Sequence, residues 1–253
     1  MQATEPLAIK RFERDGYLVV PGLVDAAIRR RMLDVVNGAL EPLQGPAEFE
    51  TEVGYPGSPA SRSAAGGDTV RRLLHVYSRD DVFRQWVSSP DVVAWLRVLM
   101  GSEQVMLSQG HHNCVMTKYP GYSSRTMWHQ DIRYWSFDRP ELVSVWLALG
   151  AEREINGALK VIPGSHVTAF DRGRLDRDLF LRPELAQNAE LIDQARVVEL
   201  EPGDTLFFHS RLFHCAGRND SDTVKYSAVF TYHTADNRPI PGTRSSNYPS
   251  IAV

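Results

Sequence analysis

Residues 128–135 read WHQDIRYW, and within them His129 and Asp131 stand two apart. In an extended segment, side chains i and i+2 leave the same face, so an imidazole and a carboxylate can reach one metal ion. No other His-x-Asp or His-x-Glu occurs in the chain. A second histidine from a distant strand would complete the two-histidine, one-carboxylate triad of non-haem Fe(II) oxygenases, which leaves coordination positions open on one side of the metal. A co-substrate can chelate through two of these and O2 can take the third.

Three later histidines compete for that role: His209, His214 and His233. His209 and His214 have opposite parity, so one uninterrupted strand cannot turn both toward the same ion. Lys225 and Ser227 lie 11 and 13 residues after His214, on the next expected strand. A cation and a hydroxyl there suit the distal carboxylate of a dicarboxylic keto acid. His233 has Arg244 and Ser246 at the same offsets, but the segment NRPIPGTRSSNYPSI is proline-rich and makes a poor strand. His214 is therefore favoured, and His209 and His233 are expected to be core or supporting histidines.

Several elements must position these residues. Ala8, Ile9 and Phe12 define one face of a helix over residues 7–15, closed by Gly16. Residues 17–20 read as a buried strand. Asp25 is placed to cap a helix to about Leu40, with Ile28, Met32, Leu33, Val36 and Leu40 as its apolar stripe. Residues 41–70, rich in Pro, Gly, Ser and Ala, read as a long loop of the kind that forms lids. Short helices are expected at 80–87 and 90–100. From residue 104 the texture becomes short apolar runs separated by turn residues, giving strands near 104–109, 111–118, 142–149, 158–162, 196–200, 205–209, 212–216 and 224–233. The pattern predicts a single domain over 1–253: a helical part to about 103, a β core over 104–234 and a tail over 235–253.

The 253 residues are 43% hydrophobic with a formal charge of −3. Such a balance argues against a broad nucleic-acid interface. Two distant cysteines, Cys114 and Cys215, give neither a disulfide framework nor a thiolate zinc site. The opening residues lack the apolar core of a signal peptide, and no stretch is long enough to span a bilayer, so a cytoplasmic location is expected. Oligomeric state is not legible. His111, His166 and Trp146 are candidate substrate contacts, although each also suits packing or turn roles. Arg62, Arg71 and Arg72 flank the long loop and could recruit an anion, though arginines beside loops are usually solvated.

Taken together, three ordered segments resemble the phytanoyl-CoA dioxygenase family. WHQDIRYW looks like its first metal motif, NGALKVIPGSH (156–166) like its Pro-Gly-Ser-His segment, and PGDTLFFHSRLFHCAGRNDS (202–221) like its second metal motif. MTKYPG (116–121) is similar to the basic strand before the first ligand. The likeness runs from about residue 10 to 245. It implies a double-stranded β-helix of the jelly-roll, cupin-like kind, mainly β with N-terminal helices. It also implies Fe(II), O2, and 2-oxoglutarate converted to succinate and CO2. His129, Asp131 and His214 match the iron ligands, and Ser227 matches the family's hydroxyl. Lys225 stands where the family usually has arginine, which replaces a planar fork by a point charge. Lys118, Arg125 or Arg244 are alternative anchors. The resemblance suggests hydroxylation of an aliphatic carbon of a small metabolite. A non-catalytic metal-binding β-helix protein and a cupin-like metal-dependent isomerase or hydrolase are the rival classes.

Overall fold

The computed structural model describes residues 6–253; the first five residues, part of the opening segment read above, lie outside it. Pro6–Asp15 forms α1, with Phe12 buried, and Gly16 (φ 80°) closes it. Tyr17–Val20 is β1. Asp25 caps α2 (Ala26–Leu40) by accepting from the N–H groups of Ala27 and Ile28 at 2.8 and 2.9 Å, an arrangement whose loss costs about 1 kcal/mol. Met32, Val36 and Ala39 are its buried residues, whereas Ile28, expected in that stripe, is 40% exposed. The covered face therefore begins one turn later than the sequence pattern suggests.

The expected loop over 41–70 carries more order than its composition implies. β2 (Ala47–Phe49) lies within it, β3 (Val70–Leu74) starts at its end, and the two pair antiparallel. α3 (Asp81–Val87) and α4 (Pro90–Met100) follow, capped by Asp80 and Ser89. The remaining elements are β4 (Val105–Lys118), β5 (Thr126–His129), β6 (Val143–Ala148), β7 (Leu159–Val161), α5 (Ala186–Ile192), β8 (Arg196–Val197), β9 (Thr205–His209), β10 (His214–Ala216), β11 (Lys225–Thr234) and β12 (Ile251–Ala252).

The strands make two antiparallel sheets. The larger runs β1-β9-β6-β11-β4-β3-β2 with β12 added to β4; the smaller runs β5-β10-β7-β8. They face one another as a double-stranded β-helix. Two strands were expected over 104–118, but β4 is continuous. Its pairing with β11 jumps from Asn113↔Phe230 to Ser108↔Thr231, so Gln109–His112 are extra residues absorbed as a bulge.

Alternation sorts the side chains of the larger sheet. Phe207, Val145, Leu147, Ala228, Phe230 and Tyr232 pack outward against Met32, Val36, Phe83, Trp86 and Leu96 of the helices. Removing a ring such as Phe230, which is fully buried, costs about 3–5 kcal/mol. Trp146, Ala148, Leu206, Phe208 and Val229 pack inward with Leu159, Val161 and Ala216 of the smaller sheet. Lys225 and Ser227 share the parity of Val229, so both are delivered to the interior. Among the described residues no helix is long and apolar enough to cross a membrane.

Candidate metal centre and carboxylate pocket

His129 ends β5 and His214 begins β10, and the two are register partners in the smaller sheet. Their rings lie 4.2 Å apart between centroids. Gln130 stays extended (φ −111°, ψ 135°) before a 3-10 turn starts at Asp131, so the i, i+2 relation holds and the carboxylate returns to the same side. Asp131 Oδ1 lies 3.7 Å from His129 Nε2 and 3.6 Å from His214 Nε2. All three residues are buried, with ligand atoms within 4.8 Å of one another.

The proton inventory shows what this cluster suits. His129 Nδ1 is 2.8 Å from the Met127 carbonyl, and His214 Nδ1 is 3.0 Å from the Leu212 carbonyl. A carbonyl can only accept, so both Nδ1 atoms carry a proton and both Nε2 atoms, the ones left to ligate, face inward. Burial, then His214, push His129 well below the usual histidine range. Burial alone would raise Asp131, but His112, His214, His129 and the Ser144 hydroxyl outweigh it and the carboxyl is held below its usual value. Two imidazole nitrogens and a carboxylate oxygen then converge in one buried place, an arrangement that a bound cation would satisfy. The donor set of two imidazoles and one carboxylate fits a non-haem iron(II). Asp131 Oδ2 is kept apart from it: Ser144 Oγ donates to it at 3.1 Å and His112 Nδ1 stands at 3.6 Å.

These groups line a cavity of about 240 Å³ shared with Lys118, Lys225, Trp146, His111, Arg71, Arg72 and Arg244. Lys225 is 3% exposed and is not free: Nζ lies 3.0 Å from Glu152 Oε2 and 3.2 Å from Ser227 Oγ. Glu152, fully buried, also accepts from Ser227 Oγ at 2.6 Å and Trp146 Nε1 at 2.9 Å. Lys118 Nζ donates to the Ser124 and Gly217 carbonyls at 2.9 and 2.6 Å. Burial, then Arg71 and Lys225, push Lys118 down to about 7. Arg71, grouped above with solvated loop arginines, is buried beside Glu48 and Glu50, at 3.4 Å from each. Of its lining residues, Tyr55 and Tyr134 join hydroxyls at 2.9 Å, and next to Tyr134 the guanidinium of Arg133 stacks over Phe180 at 3.7 Å.

Other candidates fall elsewhere. His166 is outside this cavity; it packs on His209 and its Nε2 meets the Glu13 carbonyl at 3.2 Å. His209 lines a different cavity, with Phe12 and Arg139, as its parity requires. His233 bonds Ser250 Oγ at 2.7 Å. His111 reaches the cavity wall with its Nε2 on Ser245 Oγ at 2.7 Å. No spacing rule in the sequence connects Glu152 with Lys225, 73 residues later, so only the fold reveals this pair.

A double-stranded β-helix with two inward histidines and an aspartate defines the class of non-haem iron oxygenases. The chain belongs to the phytanoyl-CoA dioxygenase family of Fe(II)/2-oxoglutarate-dependent oxygenases, whose profile matches residues 12–226. It is 25% identical over 236 residues to a probable phytanoyl-CoA dioxygenase of Caenorhabditis elegans, covering 89% of this chain and 74% of the relative. The fold matches EctD from S. alaskensis with 2-oxoglutarate and 5-hydroxyectoine at a TM-score of 0.76 and 19% identity, over 93% of this chain and 78% of that one. It also matches the epimerase SnoN in complex with Fe3+, alpha ketoglutarate and nogalamycin RO, at a TM-score of 0.74 and 22% identity, over 93% and 85%.

Proposed function

We propose that this chain is an Fe(II)/2-oxoglutarate-dependent dioxygenase that hydroxylates an aliphatic carbon of a small metabolite. The observation that carries the reading is the meeting of His129 Nε2, Asp131 Oδ1 and His214 Nε2 in one cavity with two buried lysines. In this reading those three residues hold the iron. Bound there, iron(II) and 2-oxoglutarate supply O2 activation, with the keto acid going to succinate and CO2 and one oxygen atom going to the substrate.

The protein's part is placement. The Met127 and Leu212 carbonyls keep both imidazoles in the ligating tautomer, and Ser144 holds the second oxygen of Asp131 aside. Along β11, Lys225 and Ser227 precede Thr231, the register partner of Ser144, so a dicarboxylate could extend from the metal toward them. Lys225, Ser227 and Lys118 receive its distal carboxylate. Glu152 keeps the Lys225 ammonium aimed, and Trp146 walls that end. Tyr55, Tyr134 and Trp135 line the cavity and limit bulk water. Asp131 matters for outcome too. The resembling halogenases carry a small residue at that position, where chloride binds, whereas a carboxylate favours hydroxylation.

Oxygen-dependent succinate release, screened over small metabolites with Asp131→Ala as control, tests the proposal. A protein that binds Fe(II) yet neither binds 2-oxoglutarate nor releases succinate is a metal-binding module instead. The likeness to SnoN favours a second reading, stereochemical inversion at the same centre. Product mass separates the two, since hydroxylation adds one oxygen atom and inversion adds none.

A further inference from the structure

The metal cavity has more positive charge than a single dicarboxylate uses. Arg71, Arg72, Lys118, Lys225 and Arg244 line it, against Glu48 and Asp131. Most of these charges are already engaged. Arg71 sits between Glu48 and Glu50, Lys225 pairs with Glu152, and Lys118 is tied to two carbonyls. Among the described residues Arg72 has only Glu48 as a carboxylate partner, at 3.5 Å and shared with Arg71, and its Nε leans on Met116 Sδ at 3.3 Å. Among the described residues no carboxylate comes within 4.0 Å of the Arg244 guanidinium. Two half-free arginines therefore remain.

Their position is informative. Arg72, Arg244, His111 and His112 line both the metal cavity and an adjoining one of about 160 Å³, completed by His75, Gln109, Asn247 and Tyr248. The β4 bulge makes room for this second chamber. At Gly110 an added Cβ would come within 3.1 Å of the Arg244 carbonyl, so glycine lets the 3-10 turn Arg244–Ser246 sit close without either backbone giving way. Ser245 Oγ then binds His111 Nε2 at 2.7 Å and the Ser136 N–H at 2.8 Å, which fastens the turn over the bulge. Lys118 and Lys225 are register partners at the end of the β4–β11 pairing away from the bulge.

We infer that this antechamber binds an anionic group of the primary substrate, a carboxylate or phosphate, through Arg72 and Arg244, and presents the attached aliphatic carbon to the metal. The inference rests on the proposed function, because it assigns the lysine end to 2-oxoglutarate. Guanidinium forks match both oxyanions in two-point geometry. Glu48, 3.4 Å from Arg71 and 3.5 Å from Arg72, limits the repulsion between those two guanidinium groups.

The test uses the full chain, anaerobic and saturated with Fe(II) and 2-oxoglutarate, titrated calorimetrically with isobutyrate, isobutyl phosphate and uncharged isobutyramide. At least one anion should bind ten times more tightly than the amide or better, and whichever wins identifies the oxyanion. Arg72→Gln and Arg244→Gln should each weaken that anion about tenfold, while 2-oxoglutarate affinity changes less than threefold. Lys225→Gln should do the reverse. The inference falls if neither anion binds at millimolar concentration, if the amide binds equally well, or if the arginine variants weaken 2-oxoglutarate instead. Loss of 2-oxoglutarate binding confined to the arginine variants, with Lys225→Gln silent, overturns the lysine anchor as well. Intact anion binding with a silent Lys225→Gln overturns the anchor alone.

Discussion

Lys118 and Lys225 are register partners on adjacent strands β4 and β11, so two buried ammonium groups share one end of the cavity. Like charges opposite one another destabilise a sheet unless something compensates. Here Glu152 compensates Lys225, while Lys118 donates to two carbonyls and burial, then Arg71 and Lys225, lower its pKa to about 7. An incoming carboxylate between them would relieve the same repulsion.

Asp131→Ala should abolish stoichiometric iron, lowering affinity by more than about 100-fold, since even outer-shell losses cost about 10–100-fold. Ser144→Ala keeps all three ligands but frees Asp131 Oδ2. It should weaken iron about tenfold. Metal content after dialysis against a graded chelator checks both, and unchanged retention in Asp131→Ala would remove the residue from the centre.

Lys225→Met leaves Glu152 charged and buried, and should cost about 3–5 kcal/mol in urea unfolding. It should also raise the 2-oxoglutarate KM about 10–100-fold, the worth of a charge-assisted hydrogen bond. Lys225→Met with Glu152→Gln should recover most of the stability and none of the affinity. Recovery of both would make the lysine purely structural.

Lys118 gives a pH signature. Its pKa falls from 10.5 unfolded to about 7 folded. Between these values the unfolded chain holds the extra proton, so stability rises with pH, by at most about 1.4 kcal/mol per pH unit. Below about 7 both states are protonated and the contribution is flat. Subtracting the curve of Lys118→Met should isolate a rise from pH 7 upward. A difference curve flat across pH 7–9 would show that the amine is not desolvated.

Gly157→Ala should be harmful in two ways. The residue has φ 79°, which costs a side-chain-bearing residue about 1–2 kcal/mol. The new Cβ would also lie 2.8 Å from both the Gly217 carbonyl and Lys118 Cδ. A lower Tm together with a higher 2-oxoglutarate KM is expected. A lower Tm with unchanged KM would mean that Lys118 does not touch the co-substrate.

The convergence of His129 and Asp131 was legible because a period of two is a strong rule over short distances, and the parity that set His209 aside from His214 is the same rule. The Lys225 and Ser227 offsets were legible for that reason too. Glu152 was not, since a buried counter-ion arrives from a turn whose spatial neighbour depends on sheet order. β2 and β3 hid in Pro- and Gly-rich composition because their pairing lies across a loop. Arg71 read as solvated because its acids, Glu48 and Glu50, become neighbours only when that pairing forms. His166 sat in a family-like motif, yet its ring turns to the helical side, against the Glu13 carbonyl of α1.

Because His129 and His214 face each other across β5 and β10, an ion seated between them is a rivet joining two short strands. β10 pairs with β7 on its other edge, so the clamp reaches a third. Loading and unloading iron should therefore change how often the four-stranded sheet opens, and slow amide exchange at Met127 and Cys215 becomes a reporter of occupancy even without turnover.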